Sequence, residues 1–182
     1  NHMKAKGTLK DNTIVATVMS NLGFFLMGKE KGIHIEQTKV GDRYVLERML
    51  EIGANLGGEQ SGHIIFLDEN TTGDGLLSAL HLLQVMVETK KPLSELATIM
   101  SVLPQALVGA KVPNHKKDSY MEYTEIAEAI AHVSAKFADE GRVLIRPSGT
   151  EPLVRVMIEG KDQKLIEKEA RELAELIQNV ML

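Results

Sequence analysis

The run Arg142-Val143-Leu144-Ile145-Arg146-Pro147-Ser148-Gly149-Thr150-Glu151-Pro152-Leu153-Val154-Arg155-Val156-Met157-Ile158-Glu159 carries the most legible structure in the chain. Arg142 to Arg146 and Leu153 to Glu159 are two strand candidates, separated by a stretch of proline, serine, glycine and threonine. Side chains alternate across a strand, so Val154, Val156 and Ile158 share one face and Leu153, Arg155, Met157 and Glu159 the other. Helices on either side can cover the valine face. Ile126, Ile130, Val133 and Phe137 recur at i, i+4, i+7 and i+11, and Ile166, Ala170, Leu173, Ile177 and Val180 repeat the pattern. If the valine face packs under these helices, Arg155 points to an open side where a ligand can sit.

The connecting loop Arg146 to Pro152 combines a guanidinium fork, the hydroxyls of Ser148 and Thr150, and a glycine that lets backbone N–H groups approach an anion. Arg155 adds a second guanidinium. Several charge-assisted donors converging from different directions suit a dianionic phosphate ester. The same residues also suit a proline-stiffened turn with Arg146 in a surface ion pair, and composition alone does not separate the two.

Towards the N-terminus the rhythm is strand, helix, strand, helix, which predicts an α/β layer. Thr13 to Val18 is a buried strand, Leu22 to Lys31 a helix stopped by Gly32, and Ile33 to Gln37 an alternating strand. Asp42 is placed to cap a helix carrying Val45, Met49 and Ile52 on one face. His63 to Leu67 is a further strand, and Asp74 or Thr72 can cap the apolar run Leu76 to Val87, which reads as a buried helix. Pro92 then starts a shorter helix to about Met100. Residues 105–111 form a strand, and Pro113 to Ser119, including Asn114-His115-Lys116-Lys117, is a solvated surface connection. The opening Asn1-His2-Met3 resembles a tag remnant and is left out of the fold reading.

A second constellation is Gly58-Glu59-Gln60-Ser61-Gly62-His63, preceded by Gly57 and bracketed by strand-like residues. A carboxylate can accept from two adjacent sugar hydroxyls, Ser61 can add a third contact, and the glycines allow close approach. A glycine-rich hairpin with a capped Glu59 is the alternative. The spacing begins like a nucleotide-binding P-loop, but His63-Ile64 replace the required Lys-Ser/Thr and Glu59 would repel phosphate. Asp68-Glu69-Asn70-Thr71-Thr72-Gly73 begins like a calcium loop but has Ala79 where the bidentate glutamate belongs. Lys39 and Arg43 lie at a helix mouth that could favour an anion, though a capped helix start with exposed charges gives the same pattern.

Composition removes other classes. A hydrophobic fraction of 43% with 25% charged residues is that of a globular protein, and no apolar run approaches the roughly 20 residues of a spanning helix. The formal charge of −4 and the lack of a long basic cluster argue against nucleic acid. With no cysteine there is neither a disulfide framework nor a thiolate zinc site, which suits a reducing cytoplasm. The histidines show no metal spacing.

Taken together, Gly58 to His63 followed by Arg146 to Pro152 resembles the α-D-phosphohexomutase superfamily, whose sugar loop and phosphate loop have these forms. The flanking residues Thr17 to Phe24, Lys39 to Val45 and Arg146 to Glu159 resemble its bacterial phosphoglucosamine mutase branch. The superfamily has four domains, with a Ser-His-Asn-Pro phosphoserine loop in the first and an Asp-x-Asp-x-Asp metal loop in the second, and neither motif occurs here. The resemblance therefore implies domains three and four. Residues 4–104 would be an α/β domain, a mixed sheet with helices, bearing the sugar loop. Residues 105–182 would be a smaller α+β domain of the TATA-box-binding-protein-like type, bearing the phosphate loop.

For the intact enzyme, the resemblance implies interconversion of glucosamine 6-phosphate and glucosamine 1-phosphate through a phosphoserine and a bisphosphorylated intermediate, feeding amino-sugar and cell-wall precursors. Glu59, Ser61 and His63 would hold the sugar, and Arg146, Ser148, Gly149, Thr150 and Arg155 the phosphate that is not reacting. Lys39, Arg43 and His63 are further candidates near the transfer site. Mg2+ would be bound by a domain outside this sequence, with no metal held by these residues. The implied partner is a hexosamine phosphate, with no nucleic acid and no membrane, and a homodimer is allowed for the full-length enzyme. A hinge for a rotating fourth domain would fall in Pro104 to Ser119. The 182 residues alone would be inactive. A phosphomannomutase or phosphoglucomutase is the alternative within the class, and a non-catalytic sugar-phosphate-binding module the alternative outside it.

Overall fold

In the computed structural model, which describes residues 1–138 and 140–182, the β-branched run Thr13–Thr17 forms strand β1 with all five residues buried. A strand covered on both faces reads as a continuous apolar run, and β1 is such a strand. Helix α2 (Leu22–Lys31) begins at Asn21, whose Oδ1 accepts from the Gly23 N–H at 3.0 Å. Strand β2 (His34–Thr38) then returns parallel to β1. Helix α3 (Asp42–Ile52) leads to β3 (Leu56–Gly58), parallel to β1 on its other side, and β4 (Ile64–Phe66) pairs antiparallel with β3. The sheet order is β2-β1-β3-β4. Val15 packs with Val45, Met49, Ala54 and Ile65 on one face, while its neighbour Ile14 packs with Leu9 and Ile33 on the other. This is the mixed sheet with helices expected for the first part of the chain; with α4 (Gly75–Thr89) and the short α5 (Leu93–Leu96), which follows Pro92 and runs on into a 3₁₀ turn over Ala97–Ile99, it makes one compact unit, Asn1–Val102.

The second compact unit, Leu103–Leu182, is an antiparallel sheet of order β5-β7-β6 with two helices on it. Its strands are β5 (Gln105–Lys111), β6 (Arg142–Pro147) and β7 (Leu153–Glu159), and its long helices are α6 (Thr124–Phe137) and α7 (Gln163–Met181). Val154, Val156 and Ile158 bury against Ile126, Val133, Phe137, Ile166, Ala170, Leu173 and Ile177, so the predicted helix stripes and the valine face meet. Asp162 caps α7 by accepting from the Lys164 and Leu165 N–H groups. It is the smaller α+β domain that was expected.

Several local expectations are corrected. The apolar helix α4 (Gly75–Thr89) contains no buried residue, and Leu76 and Val87 are 73% and 75% exposed. It lies beside β4, a three-residue edge strand spanning roughly 10 Å, whereas a fifteen-residue helix runs about 22 Å. Asp42 is the first helical residue of α3 and not its cap; Gly41, at φ 131°, takes that place, and the Asp42 carboxylate accepts only from the next N–H, that of Arg43. Asn1-His2-Met3 belongs to the fold: His2–Ala5 forms a short helix, α1, and Met3 packs against Leu9, Ile14 and Ile33.

The stretch Pro104 to Ser119 is no free linker. β5 pairs with β7 over its whole length, Pro104 O accepts from the Gly160 N–H, and a 3₁₀ turn spans Lys117–Glu122. Nor is the face of β7 opposite the valines wholly open. Gln105 and Arg142 both lie in register with Glu159, and their side chains close over Glu159 and Met157, leaving these 0% and 1% exposed.

α1 is pinned to α4 through Glu88, which accepts from Lys6 at 2.7 Å and lies 2.9 Å from His2 Nε2. The Lys6 ammonium, followed by Gln84 and His2, holds the Glu88 carboxyl down at about 2. A depressed folded-state value means that this contribution is present above the unfolded carboxyl range near 4.5 and fades as pH falls towards 2. Glu88→Gln should therefore flatten the acid limb of a stability-versus-pH curve between those values, measured by chemical denaturation.

Gly57 sets how closely α3 approaches the sheet. A Cβ there would lie 2.8 Å from Val45 Cγ1 and 3.1 Å from Val15 O. Gly57→Ala should destabilise the chain by about 1–3 kcal/mol through overpacking, read as a lower thermal midpoint.

Candidate functional site

The hairpin joining β3 to β4 carries Glu59, Ser61 and His63. The Glu59 N–H donates to His63 O at 3.0 Å and the Gly62 N–H to Glu59 O at 3.1 Å, a tight turn that Gly62 completes at φ 98°, where a side chain would be strained. This folding brings the three side chains together. Ser61 Oγ donates to Glu59 Oε1 at 2.8 Å and lies 2.9 Å from His63 Nδ1. The hydroxyl has one proton, so with that proton on Glu59 its oxygen accepts from His63 Nδ1–H.

Glu59 Oε2 accepts from the Gly41 N–H at 3.2 Å. The anion that meets the start of α3 is thus Glu59 itself. Two of the roughly four acceptor positions of the carboxylate are filled from within the protein, leaving two for hydroxyls of a ligand. The Glu59 side chain is 12% exposed, whereas Ser61 and His63 are open to solvent. A cavity of about 380 Å³, lined by Asn21, Phe24, Gly58, Glu59, Gln60 and Met100 among others, opens beside it.

Lys39 and Arg43 do not join this cluster through their side chains. Both are exposed, and Arg43 Nε donates to Glu47 Oε1 at 2.8 Å, an ion pair that raises the guanidinium above its ordinary range.

In the second unit, Arg146 on β6 and Arg155 on β7 are register partners across the antiparallel pair. Like charges directly opposite are unfavourable in a sheet. Arg155 is neutralised by Glu151, to which it donates. Arg146 is not: its Nε is buried and donates to nothing. Burial, then the charge of Arg155, push the Arg146 guanidinium below its ordinary range. An unsatisfied buried donor on a cation is a costly arrangement that an incoming anion would relieve.

The loop between the two arginines is ordered by Ser148, which is 3% exposed. Its N–H donates to Leu153 O at 2.8 Å and its Oγ accepts from the Glu151 N–H at 3.3 Å. That hydroxyl serves the loop itself, so Ser148 orders the loop more than it lines its surface. Gly149 and Thr150 are exposed at the tip, and a Cβ on Gly149 would meet nothing within 4 Å.

Two features of these loops were not read from the sequence. Gly41 carries no role in the sequence reading, and Lys117 is read there as part of a solvated connection. Yet Lys117 Nζ donates to Ser148 O at 2.7 Å, and Lys116 Nζ to Met181 O at 3.2 Å. Only the lysine's place beside a turn hinted at this. Tyr120, whose OH donates to Ile145 O at 3.1 Å and is raised by burial, is a further support that gave no sequence signal.

Among the described residues, no group of three or more His, Asp or Glu side chains converges as metal ligands. No helix is long and apolar enough to cross a membrane among the described residues.

The chain is thus an α/β unit with a carboxylate hairpin, followed by an α+β unit with an arginine-flanked loop. Residues 1–103 match the model of the phosphoglucomutase/phosphomannomutase alpha/beta/alpha domain III, and residues 107–176 that of the C-terminal domain of the same family. The chain belongs to the phosphoglucomutase/phosphomannomutase family.

It is 60% identical over 177 residues to the phosphoglucosamine mutase of Ruminiclostridium cellulolyticum and 61% identical over 176 residues to that of Acetivibrio thermocellus. Each alignment takes in 97% of this chain and 39% of the relative, so the chain spans about two fifths of their length. Among solved structures, Aspergillus fumigatus N-acetylphosphoglucosamine mutase in complex with GlcNAc-6P and magnesium superposes on 99% of this chain and 41% of its own, with a TM-score of 0.79 at 17% identity. At that identity the likeness is one of fold.

The proton accounting at the hairpin is open to test. In ¹⁵N NMR spectra the neutral form of the His63 ring should carry its proton on Nδ1, and Ser61→Ala should move the population towards the other tautomer. An Nε2-protonated ring in the parent protein would contradict the relay.

Proposed function

We propose that this chain is the substrate-gripping part of a phosphoglucosamine mutase. Glu59, Ser61 and His63 take hydroxyls of a hexosamine phosphate, and Arg146, Gly149, Thr150 and Arg155, with Ser148 ordering the loop, take the phosphate that is not reacting. The observation that carries this reading is the buried, acceptor-less Arg146 Nε facing Arg155 across the strand pair. It is a cationic site whose own protein leaves one guanidinium unsatisfied.

Phosphoryl transfer needs little from such groups beyond placement, because its catalysis is mainly positioning and charge stabilisation. A carboxylate that accepts from paired hydroxyls does not distinguish the two ends of a sugar by charge. Glu59 is therefore suited to hold a hexose phosphate in either orientation, while the arginine loop keeps whichever phosphate is distal. The donor and acceptor of the reacting phosphoryl group, and Mg2+, belong in this reading to another part of the full-length enzyme. So does a homodimer, and the absence of cysteine suits a cytoplasmic enzyme. The ligand is a small molecule, with neither nucleic acid nor a membrane as partner. The names of the 60% identical relatives favour glucosamine over mannose as the sugar.

Titration calorimetry of the chain with glucosamine 6-phosphate should show saturable binding that Arg146→Ala weakens tenfold or more, on the order of one charge-assisted hydrogen bond lost. Equal affinity in the two proteins would reduce the loop to an ordinary turn. The chain itself should show no mutase turnover. In the full-length enzyme Arg146→Ala should raise KM and lower kcat together, and a clear preference for mannose 1-phosphate would overturn the choice of sugar.

A further inference from the structure

Lys117 sits on the 3₁₀ turn Lys117–Glu122, far from the phosphate loop in sequence, yet its Nζ donates to Ser148 O at 2.7 Å. Three residues on, Tyr120 OH donates to Ile145 O at 3.1 Å. One turn thus holds two backbone carbonyls that bracket Arg146 and Pro147.

The consequence follows from peptide geometry. In a planar trans peptide the C=O and the following N–H point in opposite directions, and the chain has no cis bond among its described residues. Drawing Ser148 O towards Lys117 therefore turns the Gly149 N–H the other way. That N–H donates to no acceptor among the described residues, and a Cβ on Gly149 would meet nothing within 4 Å. A released Ser148–Gly149 peptide could rotate and present its carbonyl oxygen to an anion in place of its N–H.

We propose that Lys117 is a positioning residue of the anion site: by capturing the Ser148 carbonyl it fixes the Gly149 N–H as a phosphate donor, with Tyr120 holding the strand end that carries Arg146. The ammonium also withdraws a carbonyl dipole from a site already crowded by Arg146 and Arg155, where a misplaced oxygen would compete with phosphate for the guanidinium groups. The inference rests on the reading of the loop as a phosphate grip, and its test separates the two.

The chain and its Lys117→Met and Lys117→Arg variants are compared in glucosamine 6-phosphate affinity, thermal midpoint, and amide hydrogen exchange at Ser148 and Glu151, whose N–H groups donate within the loop. Loss of the charge-assisted hydrogen bond should weaken binding about tenfold in Lys117→Met, with most of it restored in Lys117→Arg. Exchange at Ser148 and Glu151 should quicken while α7 amides and the thermal midpoint stay as they were. Should Lys117→Met fail to fold, Lys117→Ala removes both the charge and the donor, and the same pattern is expected. Parent-like affinity in the uncharged variant overturns the proposal. If the parent chain itself binds no sugar phosphate, the phosphate reading falls, and unchanged exchange in the variant then overturns the loop-holding role as well.

Discussion

The second unit depends on a pair of like charges set opposite one another. Arg146 and Arg155 are brought face to face by the register of β6 and β7, a register that the buried valines of β7 fix from the other side of the sheet. A slip of one residue would turn those valines out, so the hydrophobic core holds the two guanidinium groups together against their repulsion. Glu151 answers one of them. The other keeps a buried donor without an acceptor, and the loop between them exposes N–H groups and a hydroxyl at its tip. Core packing is here converted into an unmet electrostatic demand, and that demand is the ground for the proposed phosphate grip.

The carboxylate hairpin of the first unit is arranged the opposite way. Glu59 is already engaged by Ser61 and by the Gly41 N–H, so the ligand-free loop is internally satisfied and preorganised. Its remaining acceptor capacity is modest and neutral in demand, which suits hydroxyls more than ions. Gly57 and Gly62 make this possible, one by letting α3 come close beneath the strand and the other by closing the turn. One unit thus carries a satisfied polar loop and the other an unsatisfied cationic one.

Much of this was legible in the sequence where one local rule dominates. The bounds of α2, the capping of α4 by Asp74, the strand β7 and the apolar stripes of α6 and α7 all follow from periodicity and caps, and tertiary contacts reinforce them. The three site side chains Glu59, Ser61 and His63 lie within five residues of one another, so a hairpin sufficed to unite them.

What was not legible required partners distant in sequence. Which elements pack on α4 is a tertiary matter, as is the burial of Glu159 by Gln105 and Arg142, which arrive in register from two other strands. Lys117 bonds across 31 positions to a backbone carbonyl, an acceptor every residue possesses, so nothing in the residue types could announce it. Gly41 was overlooked because Asp42 looked like the better cap on propensity, whereas the Glu59 carboxylate supplies the acceptor from another element.

The most direct test of the account is an NMR titration of the ¹⁵N-labelled chain with glucosamine 6-phosphate, following the Arg146 Nε–H and the Gly149 amide. Both signals should move together and saturably towards hydrogen-bonded positions, ahead of any change at Lys39 or Arg43. Shifts confined to Lys39 and Arg43, or an Arg146 Nε–H that stays put at saturating ligand, would contradict it.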